Sequence, residues 1–109
     1  MVIHNATFMM EREREGEFID WLRGLVAGEE SFAESLRGRR VRLSAMREAG
    51  GVDYRQAEAQ SVAFQVEFDS IEETREWSRE ALPSVAARFE ERFGPQAMVF
   101  TSVFEEISL

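Results

Sequence analysis

Few side chains in this sequence are of a type that does chemistry, and their spacing decides how they can meet. Asn5, Thr7, Gln65, Glu67 and Thr101 fall in three stretches where apolar residues recur at every second position. On a strand, residues two apart share a face. Asn5 and Thr7 therefore point one way from the first stretch, as do Gln65 and Glu67 from the third, and Thr101 is read with Val99 and Val103. If these stretches are neighbours in one sheet, the five polar groups line a common surface able to bind a small molecule. There Glu67 would take a proton while the Asn5 and Gln65 amides orient a carbonyl or a phenol. The same groups also suit a polar dimer interface, bonding across a two-fold axis.

The remaining candidates favour structure over chemistry. His4 is the only histidine and so the only side chain with an ordinary pKa near neutrality. It shares the more apolar side of its stretch with Val2, Ala6, Phe8 and Met10, where a hydrogen-bonded packing role is expected. The chain has no cysteine, which excludes a disulfide framework, a thiolate metal site and a cysteine nucleophile. Carboxylates cluster as Glu72-Glu73-Glu76 and Glu90-Glu91, the pattern of solvated helix faces, so no metal is expected. Ser44 and Ser61 have no histidine and acid in sequence to form a triad, and a glycine-rich phosphate loop is absent. No cofactor is expected. Trp21 and Trp77 read as packing residues.

A formal net charge of −8 repels phosphate backbones, and Arg37-Gly38-Arg39-Arg40-Val41-Arg42 is too short to reverse that field. Nucleic acid is not an expected partner; the arginines suit a helix end and strand entry. The opening Met1-Val2-Ile3-His4-Asn5 has no basic leader, and no apolar run approaches the roughly 18 residues that cross a bilayer. A cytoplasmic protein without membrane contact is expected.

The elements that must position these groups follow from periodicity. Ser61 to Phe68 sends Val62, Phe64, Val66 and Phe68 to one side and Ala63, Gln65 and Glu67 to the other, a strand with one buried face. Next, Ser70 precedes Glu73 by three residues, a capping box in which each side chain meets the other's amide. Val2 to Met10 forms the first strand. Phe18, Leu22, Leu25 and Val26 define a helix over 13–27, and Phe32, Ala33 and Leu36 a short second piece before Gly38. Val41 to Glu48 reads as a strand ended by Gly50-Gly51. The polar stretch from Val52 to Gln60 fits either a protruding loop or the arms of a hairpin. A long helix from Ile71 to Phe93 stops at Gly94-Pro95, with a kink or restart near Leu82 because Pro83 removes a backbone donor. Met98 to Phe104 is the last strand.

The 109 residues suit one domain, 1–109. The order strand, helix, strand, strand, helix, strand predicts an α+β, ferredoxin-like βαββαβ fold. Its four-stranded antiparallel sheet has the order four-one-three-two, with both helices on one face. The other face is left bare, carrying Ile3, Met9, Met46, Val99 and Val103. Such a surface calls for a second copy, giving a homodimer built as a dimeric α/β barrel.

Five segments together resemble a bacterial family catalogued as domain of unknown function 4286. They are Ile3-His4-Asn5-Ala6-Thr7, the Trp21-Leu22 pair, the run Ala63, Gln65, Asp69-Ser70 with Glu72, the helix end Arg92-Phe93-Gly94, and the strand from Phe100 to Glu105. The resemblance spans most of the chain. It implies a ferredoxin-like fold related to dimeric α/β barrels, a superfamily of cofactor-free monooxygenases of antibiotic biosynthesis and of ligand-binding modules. Where the family has a His-Ile-Pro turn, this chain has Val26-Ala27-Gly28-Glu29-Glu30, and its loop from Gly50 to Gln60 is longer. Two functions follow as expectations. One is a non-enzymatic homodimeric domain that binds a small molecule or a protein on the bare face. The other is a cofactor-independent oxygenase or isomerase acting on a small aromatic compound in an enclosed cavity beside Glu67 or His4.

Overall fold

Alternating side chains and two glycine turns set the course of the backbone. The computed structural model describes residues 1–28 and 30–109; Glu29, within the segment that departs from the family's turn, lies outside them. In chain order the elements are β1 (Val2–Glu11), a 3₁₀ turn (Arg12–Arg14), α1 (Glu15–Ala27), α2 (Ser31–Ser35), β2 (Val41–Ala45), β3 (Glu48–Ala49) and β4 (Val52–Asp53). A second 3₁₀ turn (Tyr54–Gln56) leads into β5 (Ala59–Phe68), α3 (Ile71–Glu80) and α4 (Leu82–Phe93), and a third (Gly94–Gln96) into β6 (Met98–Glu105). The main sheet has the order β2-β5-β1-β6 and is antiparallel throughout. This is the expected ferredoxin-like arrangement. Its extents of 38 × 38 × 20 Å leave thickness for one sheet and one layer of helices.

β1 and β5 pair over their full length, from Val2 opposite Phe68 to Glu11 opposite Ala59. In both, every second residue is buried: Val2, His4, Ala6, Phe8 and Met10 on one, Gln60, Val62, Phe64, Val66 and Phe68 on the other. Phe18 and Leu22 of α1 and Val85, Phe89 and Phe93 of α4 close over that surface. The centre of the core is aromatic. Phe89 meets Phe8 edge-on at 5.0 Å and Phe18 at 5.4 Å, and stacks on Phe93 at 5.1 Å. Such pairs add about 0.5–1.5 kcal/mol each beyond the burial of their area.

The long helix breaks at Ala81, and Pro83 lies in the first turn of α4, where its missing N–H has no bond to lose. Proline here starts a helix. Ser70 caps α3 as expected, its Oγ accepting from the Glu73 amide at 3.1 Å. The reciprocal half of the box is replaced: the Glu73 carboxylate accepts from Arg39 at 2.6 Å. Arg39 also lies over the Phe68 ring at 4.4 Å, so one guanidinium joins the end of β5, the start of α3 and the segment after α2.

The stretch from Val52 to Gln60, which fits either a loop or the arms of a hairpin, holds only the second arm of one, β4, then the 3₁₀ turn and the first residues of β5. Gly50 and Gly51 have φ of 59° and 82°, the left-handed pair of a two-residue turn, and they join β3 to β4. Glu48 and Ala49 are thereby drawn into the small hairpin. The strand expected to run from Val41 to Glu48 therefore leaves the main sheet after Ala45, although the Met46 amide still donates to the Ser61 carbonyl at 3.0 Å.

Truncating the hub of the aromatic cluster should be costly. Phe89→Ala is expected to lower unfolding stability by about 3–5 kcal/mol in urea denaturation; a loss below about 1 kcal/mol would mean that the cluster is not the centre of the core.

Candidate functional site: the open sheet face

Directly opposed residues of an antiparallel pair share a face, so register fixes the surface that the helices leave bare. Across the sheet it carries Glu67, Ile3 and Phe104 in one row, and Arg42, Gln65, Asn5 and Ser102 in the next. Ser44, Ala63, Thr7 and Phe100 follow, then Ser61, Met9 and Met98. Four of the five expected polar residues, Asn5, Thr7, Gln65 and Glu67, are on this face.

Thr101 is not. It pairs with Ala6 of β1, which is fully buried beneath the helices, so Thr101, Val99 and Val103 all belong to the helix side. Met98, Phe100, Ser102 and Phe104 take the open side instead. The reversal makes that face more apolar than alternation alone predicts. Its physical origin is that both sets of β6 side chains are largely apolar, so only the pairing with β1 chooses between them.

The three amide and hydroxyl residues form a connected ribbon. Gln65 Nε2 donates to Asn5 Oδ1 at 3.3 Å, and Asn5 Nδ2 donates to Thr7 Oγ1 at 3.0 Å. Glu67 stands apart from them, 3.7 Å from the Arg40 guanidinium. The ribbon thus presents the Gln65 carbonyl and the Thr7 hydroxyl proton at its two ends, a surface for a polar group and not a proton-transfer centre. No cavity closes over it among the described residues. Glu67 borders a cleft of about 260 Å³ at the end of the sheet, and His4 one of about 290 Å³ on the helix side; both open to solvent.

His4 fills the packing role expected of it. Its ring meets Trp77 edge-on at 5.1 Å, its Nε2 lies 3.1 Å from Ser78 Oγ, and its Nδ1 is buried without a partner. Trp77 in turn donates from Nε1 to Ser35 Oγ at 3.0 Å. Among the described residues no group of three histidine, aspartate and glutamate side chains gathers as a metal site needs, and no helix is long and apolar enough to cross a membrane.

One polar node escaped the sequence reading. Gln60 is fully buried and satisfied: Nε2 donates to the Met46 carbonyl at 3.0 Å and to Glu15 Oε1, while Oε1 accepts from the Ser61 amide at 3.0 Å. Glu15 also pairs with Arg47 at 2.6 Å, which covers the Tyr54 ring at 4.5 Å. The hydrogen bond from Arg47, helped by that from Gln60, holds the Glu15 carboxyl below its ordinary pKa. This node ties the β3–β4 hairpin to the start of α1. A signal existed, since Gln60 is in phase with Val62 and Phe64.

Residues 1–107 match the family described as Domain of unknown function (DUF4286), and the chain belongs to that family. No curated protein matches the chain. Among solved structures it is similar to the de novo designed protein Foldit4, at 9% identity and a TM-score of 0.58 over 97% of this chain and 98% of that one. A Bacillus cereus protein provisionally assigned as an antibiotic biosynthesis monooxygenase shows 16% identity and a TM-score of 0.55, covering 99% of this chain and 94% of its own. An ethyl tert-butyl ether (EthD) family protein from Bacillus halodurans C-125 shows 10% identity and 0.54, covering 98% and 100%. At such identities the likeness is one of fold.

Burial of His4 disfavours its cation and lowers its pKa below the ordinary 6.5. The unfolded chain then holds more proton than the folded one between those two values, so stability falls as pH drops through 6.5 and levels off below the folded pKa. Urea unfolding at pH 7.0 and 5.5 should show the lower stability at pH 5.5, in a range where the carboxylates stay ionised, and His4→Gln should flatten that slope. Equal stability of the wild-type chain at both pH values would contradict the burial of a neutral imidazole.

Proposed function

We propose that this member of the DUF4286 family is a cytoplasmic homodimer joined through its open sheet faces as a dimeric α/β barrel, with the polar ribbon of each face holding a small molecule or a protein partner. The supporting observation is apolar exposure on that face. Phe100 is 49% and Phe104 54% exposed, and Met98 is as open as Phe100, while Ile3 and Met9 lie between them and the centre of the sheet. Removing such surface from water gains about 25 cal/mol per Å², and a contiguous apolar patch is the ordinary mark of an interface. A two-fold pairing is self-complementary. It would place the Gln65-Asn5-Thr7 ribbons of two copies opposite one another, where their free ends can meet a bound polar group or each other.

The long outer strand adds support. β6 is eight residues long and pairs on one side only, an edge that soluble proteins normally protect. A second sheet laid on the open face would cover Phe100 and Phe104 and shelter that edge.

The alternative is a cofactor-independent monooxygenase or isomerase acting on a small aromatic compound, supported by the fold shared with the Bacillus cereus protein. It requires an enclosed cavity at Glu67 or His4. The roomy apolar groove of the molecule, about 520 Å³ between α1 and β2, is lined by residues such as Ile19, Leu22, Leu43 and Phe64, and reaches neither. Binding without catalysis therefore has the better support.

Gel filtration with light scattering at micromolar concentration should give twice the chain mass, and Phe100→Glu, a charge placed on an exposed position of the face, should give a folded monomer. A wild-type monomer would end the proposal.

A further inference from the structure

Of the thirteen arginines, Arg23, Arg42, Arg75 and Arg79 make no ion pair among the described residues, the other nine each having a carboxylate within reach. Two of the four lie together. Arg75 and Arg79 are one turn apart on α3 and both line the cleft of about 290 Å³ between that helix and β6. Like charges at this spacing repel and weaken a helix. The glutamates beside them on α3, Glu72, Glu76 and Glu80, form no ion pair with them, and neither does Glu105, on the helix side of β6 opposite Val2. In a chain of net charge −8 two neighbouring cations without an ion pair stand out.

The rest of the cleft supplies hydrogen-bond donors. Ser78, Thr101 and His4 share its wall with the two arginines. His4 is 1% exposed, with Nε2 3.1 Å from Ser78 Oγ and Nδ1 unpartnered. In the tautomer that carries its proton on Nε2, the imidazole donates to Ser78 Oγ and leaves only a lone pair unmet at Nδ1, a smaller cost than a buried N–H without acceptor. The Ser78 hydroxyl proton is then free for the cleft. A wall of two guanidinium groups, the Ser78 hydroxyl held by a buried histidine and a strand threonine has donors to offer and no carboxylate acceptor.

We propose that the cleft between α3 and β6 binds the oxyanion of a small ligand, a phosphate or carboxylate group, with Arg75 and Arg79 as its charge partners, Ser78 and Thr101 as neutral donors, and His4 as the residue that positions the Ser78 hydroxyl. An anion between the arginines removes their mutual repulsion and gains charge-assisted hydrogen bonds that a guanidinium gives in pairs. The site is on the opposite side of the sheet from the Asn5-Thr7-Gln65 ribbon, so it stands or falls apart from the dimer.

Because His4 is the only histidine, its imidazole resonances report on the cleft without assignment. Inorganic phosphate and malonate are each titrated into the full chain at fixed pH and ionic strength, followed by calorimetry and by the His4 nitrogen and carbon-proton shifts. Saturable binding by one anion or both is expected, with displacement of the His4 signals; phosphate alone would assign a phosphorylated ligand and malonate alone a carboxylate. Arg75→Gln/Arg79→Gln, at two exposed positions, should keep the fold and weaken binding by at least about tenfold. Ser78→Ala should keep much of the affinity and lose the response of His4. Heat and shifts from neither anion, or binding of equal strength in the double variant, would overturn the proposal.

Discussion

Pairing of β1 with β5 over ten residues is the constraint on which the rest of the structure depends. A strand's side chains alternate strictly, so a slip of one residue in that pairing would move Phe8, Phe64 and their neighbours to the wet side. The register is secured by what lies above it: Phe18 and Phe89 pack on Phe8, and Phe93 on Phe18. The strength of this constraint is visible in the polar residues it carries inward. His4 and Gln60 are as buried as the valines beside them. Their phase placed them there, and Ser78, Glu15 and the Met46 carbonyl supply the bonds that make their burial tolerable. Phase overrules polarity in this sheet.

Phase is legible in sequence only where the two faces of a strand differ in polarity. Where one face of a strand is apolar and the other is not, as from Ser61 to Phe68, alternation alone assigned every side chain. Where a local rule has a single physical cause, as with Ser70 capping α3 or Pro83 opening α4, the element end was legible too. β6 was opaque because Met98, Phe100 and Phe104 compete with Val99 and Val103 for the core, and neither set wins: the strand lies at the rim, beyond full cover of α3 and α4, and only Val99 is appreciably shielded. Its orientation comes from β1, a partner nearly a hundred residues away, and Thr101 was misplaced for that reason. The hairpin after Ala45 was ambiguous for a different one. Two-residue strands carry too few positions to show a period, and they are held by Arg47 against Glu15 and Tyr54, contacts that sequence does not announce.

Arginine does much of the joining between elements. Arg39 binds Glu73 and covers Phe68, Arg47 binds Glu15 and covers Tyr54, and Arg14 binds Glu17 and covers Phe93. Exposed pairs of this kind add little stability one by one. Their planar, forked geometry instead fixes where an aromatic edge meets a helix start, which lysine, absent here, would do less sharply. An arginine without a carboxylate is a departure from the chain's own habit, and the departures fall on surfaces: Arg23 at the groove between α1 and β2, Arg42 beside Gln65 on the open face, and Arg75 with Arg79 above β6.

β6 is the element through which these surfaces meet. Its period of two sends Phe100 and Phe104 to the bare side and Thr101 and Val103 to the side of α3. One strand thus borders both an apolar face that water disfavours and a cationic cleft that an anion would complete, with only backbone between them. A partner sheet laid against Phe100 would hold β6 flat and so hold Thr101 at its distance from Arg75 and Arg79. The two proposed sites use opposite faces of this strand, so a partner on the first would border the second without contributing a side chain to it.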